Sequence, residues 1–101
     1  MVLGKLILTW DILPKHEQEY FEFMVREFLP SIQKLGFKLS DAWVTVYGDQ
    51  PQILIGVIMS SVHEINQVLE SDEWLDLVNK LKDFVENYCQ KVAKASGEFQ
   101  F

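Results

Sequence analysis

Residues 37–59 read FKLSDAWVTVYGDQPQILIGVIM, and this stretch decides the fold. Phe37 to Tyr47 and Gln52 to Met59 are runs rich in β-branched and aromatic residues, the composition of strands. Between them Gly48-Asp49-Gln50-Pro51 is a compact cluster of turn formers. Two strands so close together predict an antiparallel hairpin. With Tyr47 opposite Gln52, Val46 faces Ile53, Val44 faces Ile55 and Ala42 faces Val57. That side is purely aliphatic and suited to lie under helices. The other side carries Tyr47, Thr45 with Leu54, Trp43 over Gly56, and Asp41 with Ile58.

Upstream, Lys5, Ile7, Thr9 and Asp11 alternate with Leu6, Leu8, Trp10 and Ile12, the period of a strand. Pro14 suits the opening of a helix, because its missing N–H would be unpaired there, and Glu17 and Glu19 favour the positive helix end. From His16 to about Leu35 the period changes. Phe21, Met24, Val25, Phe28, Ile32 and Leu35 return every three or four residues as one apolar stripe. Pro30 interrupts this stripe and predicts a bend, with Leu29 in extended dihedrals or a distorted turn. Gly36 is placed to cap the helix.

Downstream, Ser61-Val62-His63-Glu64 fits a capping box opening a short helix with Val62, Ile65 and Leu69 inward. Ser71-Asp72-Glu73 starts the next helix. Trp74, Leu77, Val78, Leu81, Phe84, Val85, Tyr88 and Val92 then predict a helical stripe of five turns, with Gly97 ending it. Glu98 to Phe101 alternates like a final edge strand.

The order strand, helix, hairpin, paired helix, strand is the split βαβ plan. The fold class expected is α+β, ferredoxin-like, with a four-stranded antiparallel sheet and all helices on one face. The chain of 101 residues fits a single domain over 1–101. In this plan no helix covers the face carrying Trp43, Tyr47, Leu54, Ile58 and Ile7. Its apolar surface, on the order of 400 Å², exceeds what lone soluble domains usually show in one patch. Pairing with a second copy is the simplest cover, so Trp43, Thr45, Leu54 and Ile58 are the expected homodimer interface.

The sequence resembles the dimeric α+β barrel superfamily, which includes antibiotic-biosynthesis-type monooxygenases and stress-responsive barrel proteins. The resemblance lies in element order and length, and in Ser71-Asp72-Glu73-Trp74, similar to the Ser-x-x-Trp step many members carry before their last long helix. It implies a dimeric barrel. No residue set matches a particular member's catalytic residues.

Composition narrows the function. Fifteen acidic residues against nine basic ones give a net charge of −6, which repels phosphate backbones and anionic lipid, so neither nucleic acid nor membrane is an expected partner. No apolar run approaches the roughly 20 residues a bilayer span needs, and the first residues lead into a strand rather than a signal peptide. A lone cysteine, Cys89, permits no internal disulfide, and a cytoplasmic location is expected. On a helical wheel Cys89 falls on the flank of the last helix, as a small packed side chain.

His16 shares a stripe with Tyr20, Phe23 and Glu27, beside the core stripe, and is the best single candidate for proton transfer. His63 reads as an exposed turn residue. Two isolated histidines without HxH or HxxxH spacing give no metal site. Without a Gly-rich phosphate loop no nucleotide cofactor is expected, and any catalysis would be cofactor-independent.

The aromatic and methionine supply directs attention to the space between the first helix and the sheet. Trp10, His16, Tyr20, Phe21, Met24 and Phe28 are the expected ligand-binding residues, for a fatty-acyl or aromatic molecule. Two other readings stand beside this one: a cofactor-independent monooxygenase or related small enzyme, and a structural dimer acting through protein partners.

Overall fold

The computed structural model describes residues 3–47 and 50–95. Among these residues four strands form one antiparallel sheet: β1 (Leu3–Ile12), β2 (Lys38–Tyr47), β3 (Gln50–Met59) and β4 (Val85–Ala95). Their order across the sheet is β2-β3-β1-β4, so β1 is central. The helices are α1 (Glu17–Phe23), α2 (Leu29–Lys34), α3 (Val62–Leu69) and α4 (Asp72–Leu81), with a wide π turn, Met24–Phe28, joining α1 to α2. This is the ferredoxin-like α+β fold expected.

The core lies between sheet and helices. Leu6, Leu8, Trp10 and Ile12 of β1 and Ile53, Ile55 and Val57 of β3 are buried against Phe28, Ile32, Ile65, Trp74, Leu77 and Leu81. The alternation along β1 thus sorts its faces as the sequence predicts. Ser61 and Ser71 cap α3 and α4, accepting the amides of Glu64 at 3.2 Å and Trp74 at 3.3 Å. Trp74 is buried, its ring centroid 6.1 Å from that of Phe37. Gly36 ends α2 with φ 103°, a left-handed conformation natural to glycine.

The first helix differs from expectation in its face. Tyr20, Phe23, Met24, Phe28 and Ile32 point inward, while Phe21 and Val25 are exposed. Tyr20, Met24, Phe28 and Ile32 recur every fourth residue. In a regular helix that spacing drifts by about 40° per step, and the wide turn, being underwound, cancels the drift. Leu29 is fully helical (φ −62°, ψ −45°), and its amide bonds to Met24 O. The distortion that Pro30 requires therefore precedes it as the π turn, and the helix resumes beyond the proline as expected.

In the hairpin, Tyr47 pairs with Gln50, Val44 with Ile53, Trp43 with Leu54 and Asp41 with Gly56. This register is two residues from the expected one. Gln50 and Pro51 belong to β3 rather than to the turn, and Gly48 and Asp49 lie outside the described residues. Pro51 fits because β3 pairs with β1 only from Gln52 onward, leaving the proline where the strand has one neighbour. An even shift keeps each side chain on its expected face.

The largest correction concerns the C-terminal third. α4 ends at Leu81, and Phe84, Val85, Tyr88 and Val92 belong to a turn and to β4 instead of a five-turn helix. β4 pairs along β1 from Leu3–Ala95 to Ile12–Val85, with one extra residue opposite Trp10. Asn87, at φ 57°, forms that bulge. The final strand expected at Glu98 to Phe101 lies outside the described residues. Cys89 is accordingly an exposed strand residue opposite Thr9, not the flank of a helix.

Candidate functional site: an apolar groove and an open sheet face

Two surfaces stand out, one on each side of β2. On the helix side, α1 and the wide turn stand apart from the edge of the sheet and leave a groove of about 260 Å³. Tyr20, Phe21, Met24, Val25 and Leu29 form one wall, and Leu39, Ala42, Trp43, Val44, Ile53 and Ile55 the other. The groove exists because β2 extends beyond the cover of the helix. Val44 pairs with buried Ile53 yet is itself 66% exposed. Of the six large apolar side chains exposed among the described residues, five line this groove, Leu75 being the exception.

The expected ligand-binding residues divide into three groups. Tyr20, Phe21 and Met24 line the groove. Trp10 and Phe28 lie beneath it, completely buried, with ring centroids 5.8 Å apart. His16 is not among the groove's residues; it is half-exposed, with Nδ1 3.4 Å from Glu19 Oε1. His63 is exposed on α3.

Tyr20 turns its hydroxyl inward, where it accepts a 3.0 Å hydrogen bond from Trp10 Nε1. Burial pushes its pKa up to about 12, against a smaller lowering by the Trp10 bond. The phenol is therefore neutral at any ordinary pH. Tyr88 stacks on Trp10, with centroids 6.2 Å apart and planes 10° from parallel. Sequence reasoning missed Val25, Leu29, Leu39, Ala42 and Ile53 as groove residues, and placed Trp43 at the dimer interface alone. The fourfold spacing from Tyr20 to Ile32 was the available signal for the turned helix face.

The open face of the sheet presents Ile7 and Thr9 of β1, Leu54 and Ile58 of β3, and Trp43 and Thr45 of β2. Trp43 is 62% exposed; Thr45 is exposed, and Leu54 and Ile58 are half-buried. The structure thus brings the four expected interface residues onto one face. A hollow of about 230 Å³ lies there among Lys5, Ile7, Asp41, Trp43 and Leu54. Among the described residues three lysines, Lys5, Lys38 and Lys91, share the face with three acids, Asp11, Asp41 and Glu86. Trp43 lines both the hollow and the groove.

Among the described residues, no three His, Cys, Asp or Glu side chains converge to hold a metal ion, and no helix is long and apolar enough to cross a membrane.

The chain's fold is that of several solved structures. It is similar to a NIPSNAP-like domain protein of Burkholderia xenovorans, with 14% identity, 97% of this chain and 89% of that one covered, and a TM-score of 0.70. It is also similar to a NIPSNAP family protein of Agrobacterium tumefaciens, at 17% identity, 94% and 87% coverage and a TM-score of 0.67. A candidate antibiotic biosynthesis monooxygenase of Nitrosomonas europaea aligns at 12% identity, 94% and 89% coverage and a TM-score of 0.65. No family model matches the chain, and no curated protein matches it. The class defined is therefore the ferredoxin-like α+β fold that NIPSNAP proteins and antibiotic-biosynthesis-type barrels share. At these identities the likeness is one of fold.

Proposed function

We propose that this protein binds a small uncharged apolar molecule in the groove between α1 and the β2–β3 hairpin, and that it does so as a homodimer paired through the open sheet face. The carrying observation is the groove's lining: among the described residues it has eleven, none of them charged, on a chain of net charge −6. Leaving so much contiguous apolar surface in water is unfavourable, and a ligand that covers it gains roughly 25 cal/mol per Å². The π turn stands at the groove's wall, where such turns often mark function. Met24, its first residue, is a side chain that adapts to ligand shape.

The lining also bears on the enzymatic alternative. Among the described lining residues the one ionisable group is Tyr20, whose pKa of about 12 leaves no base there able to take a proton near neutrality. Support for the dimer comes from charge. A chain of −6 repels its copy, but the described residues of the open face balance three lysines with three acids, which favours two such faces meeting there.

The test uses N-phenyl-1-naphthylamine, an uncharged dye that brightens in apolar sites. Micromolar binding to wild type is expected, weakened about tenfold or more by Val44→Glu, which places a charge in the groove. Val44 is exposed, so the fold survives the change. A dye that ignores the wild-type protein overturns the ligand reading. For the dimer, sedimentation at micromolar concentration should give twice the chain mass, reduced by Thr45→Arg; a folded wild-type monomer there overturns it.

A further inference from the structure

We infer that ligand binding in the groove and pairing of the open faces are coupled through Trp43, each strengthening the other. The inference rests on the proposed ligand site and dimer. Its physical basis is that one side chain belongs to both surfaces.

Trp43 sits on β2, one of the two edge strands among the described residues, opposite Leu54. By strand alternation it belongs to the open face, where it walls the hollow with Ile7 and Leu54. Because no strand flanks β2 on its outer side among the described residues, the indole also reaches the rim of the groove beside Val44. At 62% exposure it is loosely held in one chain.

A second copy on the open face would confine the indole from one side, and a ligand would confine it from the other. Whichever arrives first removes the rotamer freedom and the exposed apolar area that the second would otherwise have to order and cover. Coupling of this kind is reciprocal: the factor by which ligand tightens the dimer is the factor by which dimerisation tightens the ligand. The occupants are thus a second copy of this chain on one side and a neutral, flat apolar molecule on the other. An anionic head would meet no cation among the described residues of the groove's lining.

The protein carries its own reporter. Its three tryptophans are Trp10, Trp43 and Trp74, and Trp10 and Trp74 are buried. Red-edge tryptophan emission therefore reports Trp43. The experiment titrates N-phenyl-1-naphthylamine into full-length wild-type protein held below and above its dimer dissociation constant, measured by sedimentation. Dye affinity about fivefold or more tighter in the dimer is expected, with a matching fall in the dimer dissociation constant at saturating dye. The red-edge emission should shift to the blue in both steps.

Trp43→Ala should bind dye equally well at both protein concentrations. Dye affinity in wild type that is independent of protein concentration overturns the coupling while leaving ligand site and dimer standing. Coupling that persists in Trp43→Ala overturns the role of Trp43. A wild type that binds no dye, or that stays monomeric, removes the reading on which the inference rests, and the two failures are told apart by fluorescence and sedimentation respectively.

Discussion

Lys5 Nζ lies 2.6 Å from Asp41 Oδ2, an ion pair that spans from β1 to β2 across the backbone of Gly56 on β3. The bare glycine makes the crossing possible. A Cβ there would stand 3.0 Å from both Asp41 Oδ2 and Lys5 Cε, and 3.2 Å from Ser40 Oγ. Ser40 Oγ donates to Gly56 O at 3.1 Å and lies 3.2 Å from Asp41 Oδ2, tying the carboxylate to the strand beneath it. Lys5 is only 4% exposed although it faces the open side of the sheet.

Asp41→Asn should cost about 2 kcal/mol at neutral pH, between the values of exposed and fully buried pairs. The hydrogen bond from Lys5 holds the Asp41 carboxyl below its ordinary pKa. A depressed folded value means that the stabilisation is complete above the unfolded carboxylate's pKa, about 3.9, and fades as pH falls through the folded one. Thermal unfolding of wild type and Asp41→Asn should therefore converge in acid. A constant gap between them at all pH values would refute this account.

Gly56→Ala should destabilise by about 1–3 kcal/mol through overcrowding, since two of the three atoms it meets belong to the ion pair. Denaturant unfolding gives the value directly. No measurable loss would mean that the pair moves aside without cost.

The first helix shows what sequence periodicity can and cannot settle. Its existence and extent, and the need for some distortion near Pro30, were legible from apolar spacing and one proline. The extended dihedrals expected at Leu29 are not found, because the π turn before it takes up the distortion. The helix's inward face was not legible, because the stripe through Phe21 and Val25 assumes an unbroken turn of 3.6 residues. The π turn adds one residue to that turn and brings Tyr20 inward. Three of the six expected ligand residues, Tyr20, Phe21 and Met24, still line the groove, because a groove wall draws on both the buried and the exposed side of a helix.

Deleting Val25 tests the wide turn. Val25 is 70% exposed, and its removal leaves Tyr20, Met24, Phe28 and Ile32 spaced by four, three and four residues. That is an ordinary helical face. The deletion variant should stay folded, with helical circular dichroism retained and a midpoint within a few degrees of wild type, while dye binding weakens as the groove loses its outer wall. An unfolded product would show that the π turn does more than accommodate spacing.

The strand β4 was illegible for a different reason. Phe84, Val85, Tyr88 and Val92 repeat every three or four residues, and they continue the phase of α4 by coincidence. What makes them a strand is tertiary: central β1 needs a second neighbour for its backbone groups. Only a bulge at Asn87 reconciles the side-chain spacing with β pairing.

That bulge can be probed at its one strained residue. Asn87 holds φ 57°, and its Nδ2 donates to Asp11 Oδ2 at 2.8 Å. Asn87→Val forces a β-branched side chain into the left-handed region and should cost about 1–3 kcal/mol. Asn87→Gly keeps the backbone and should cost less than about 1 kcal/mol for the lost surface hydrogen bond. Equal losses in the two variants would place the effect in the side chain and not in the bulge.

Alkaline titration probes the aromatic cluster under the groove. Burial raises the pKa of Tyr20 to about 12, and burial raises that of Tyr88 as well. Both groups hold their protons more tightly in the folded chain than in the unfolded one, whose tyrosines ionise near 10. Their contribution to stability is thus fully present below about pH 10 and is lost as pH rises from there toward the folded values. Tyr20→Phe removes part of this alkaline loss. It also leaves Trp10 Nε1 without its acceptor in the core, at a cost of about 1–3 kcal/mol at neutral pH. Ultraviolet titration should show Tyr20 and Tyr88 ionising late and together with unfolding. If all three tyrosines of the chain instead ionise near pH 10 while circular dichroism stays native, the Trp10–Tyr20 pair is open to solvent and the groove has no closed floor.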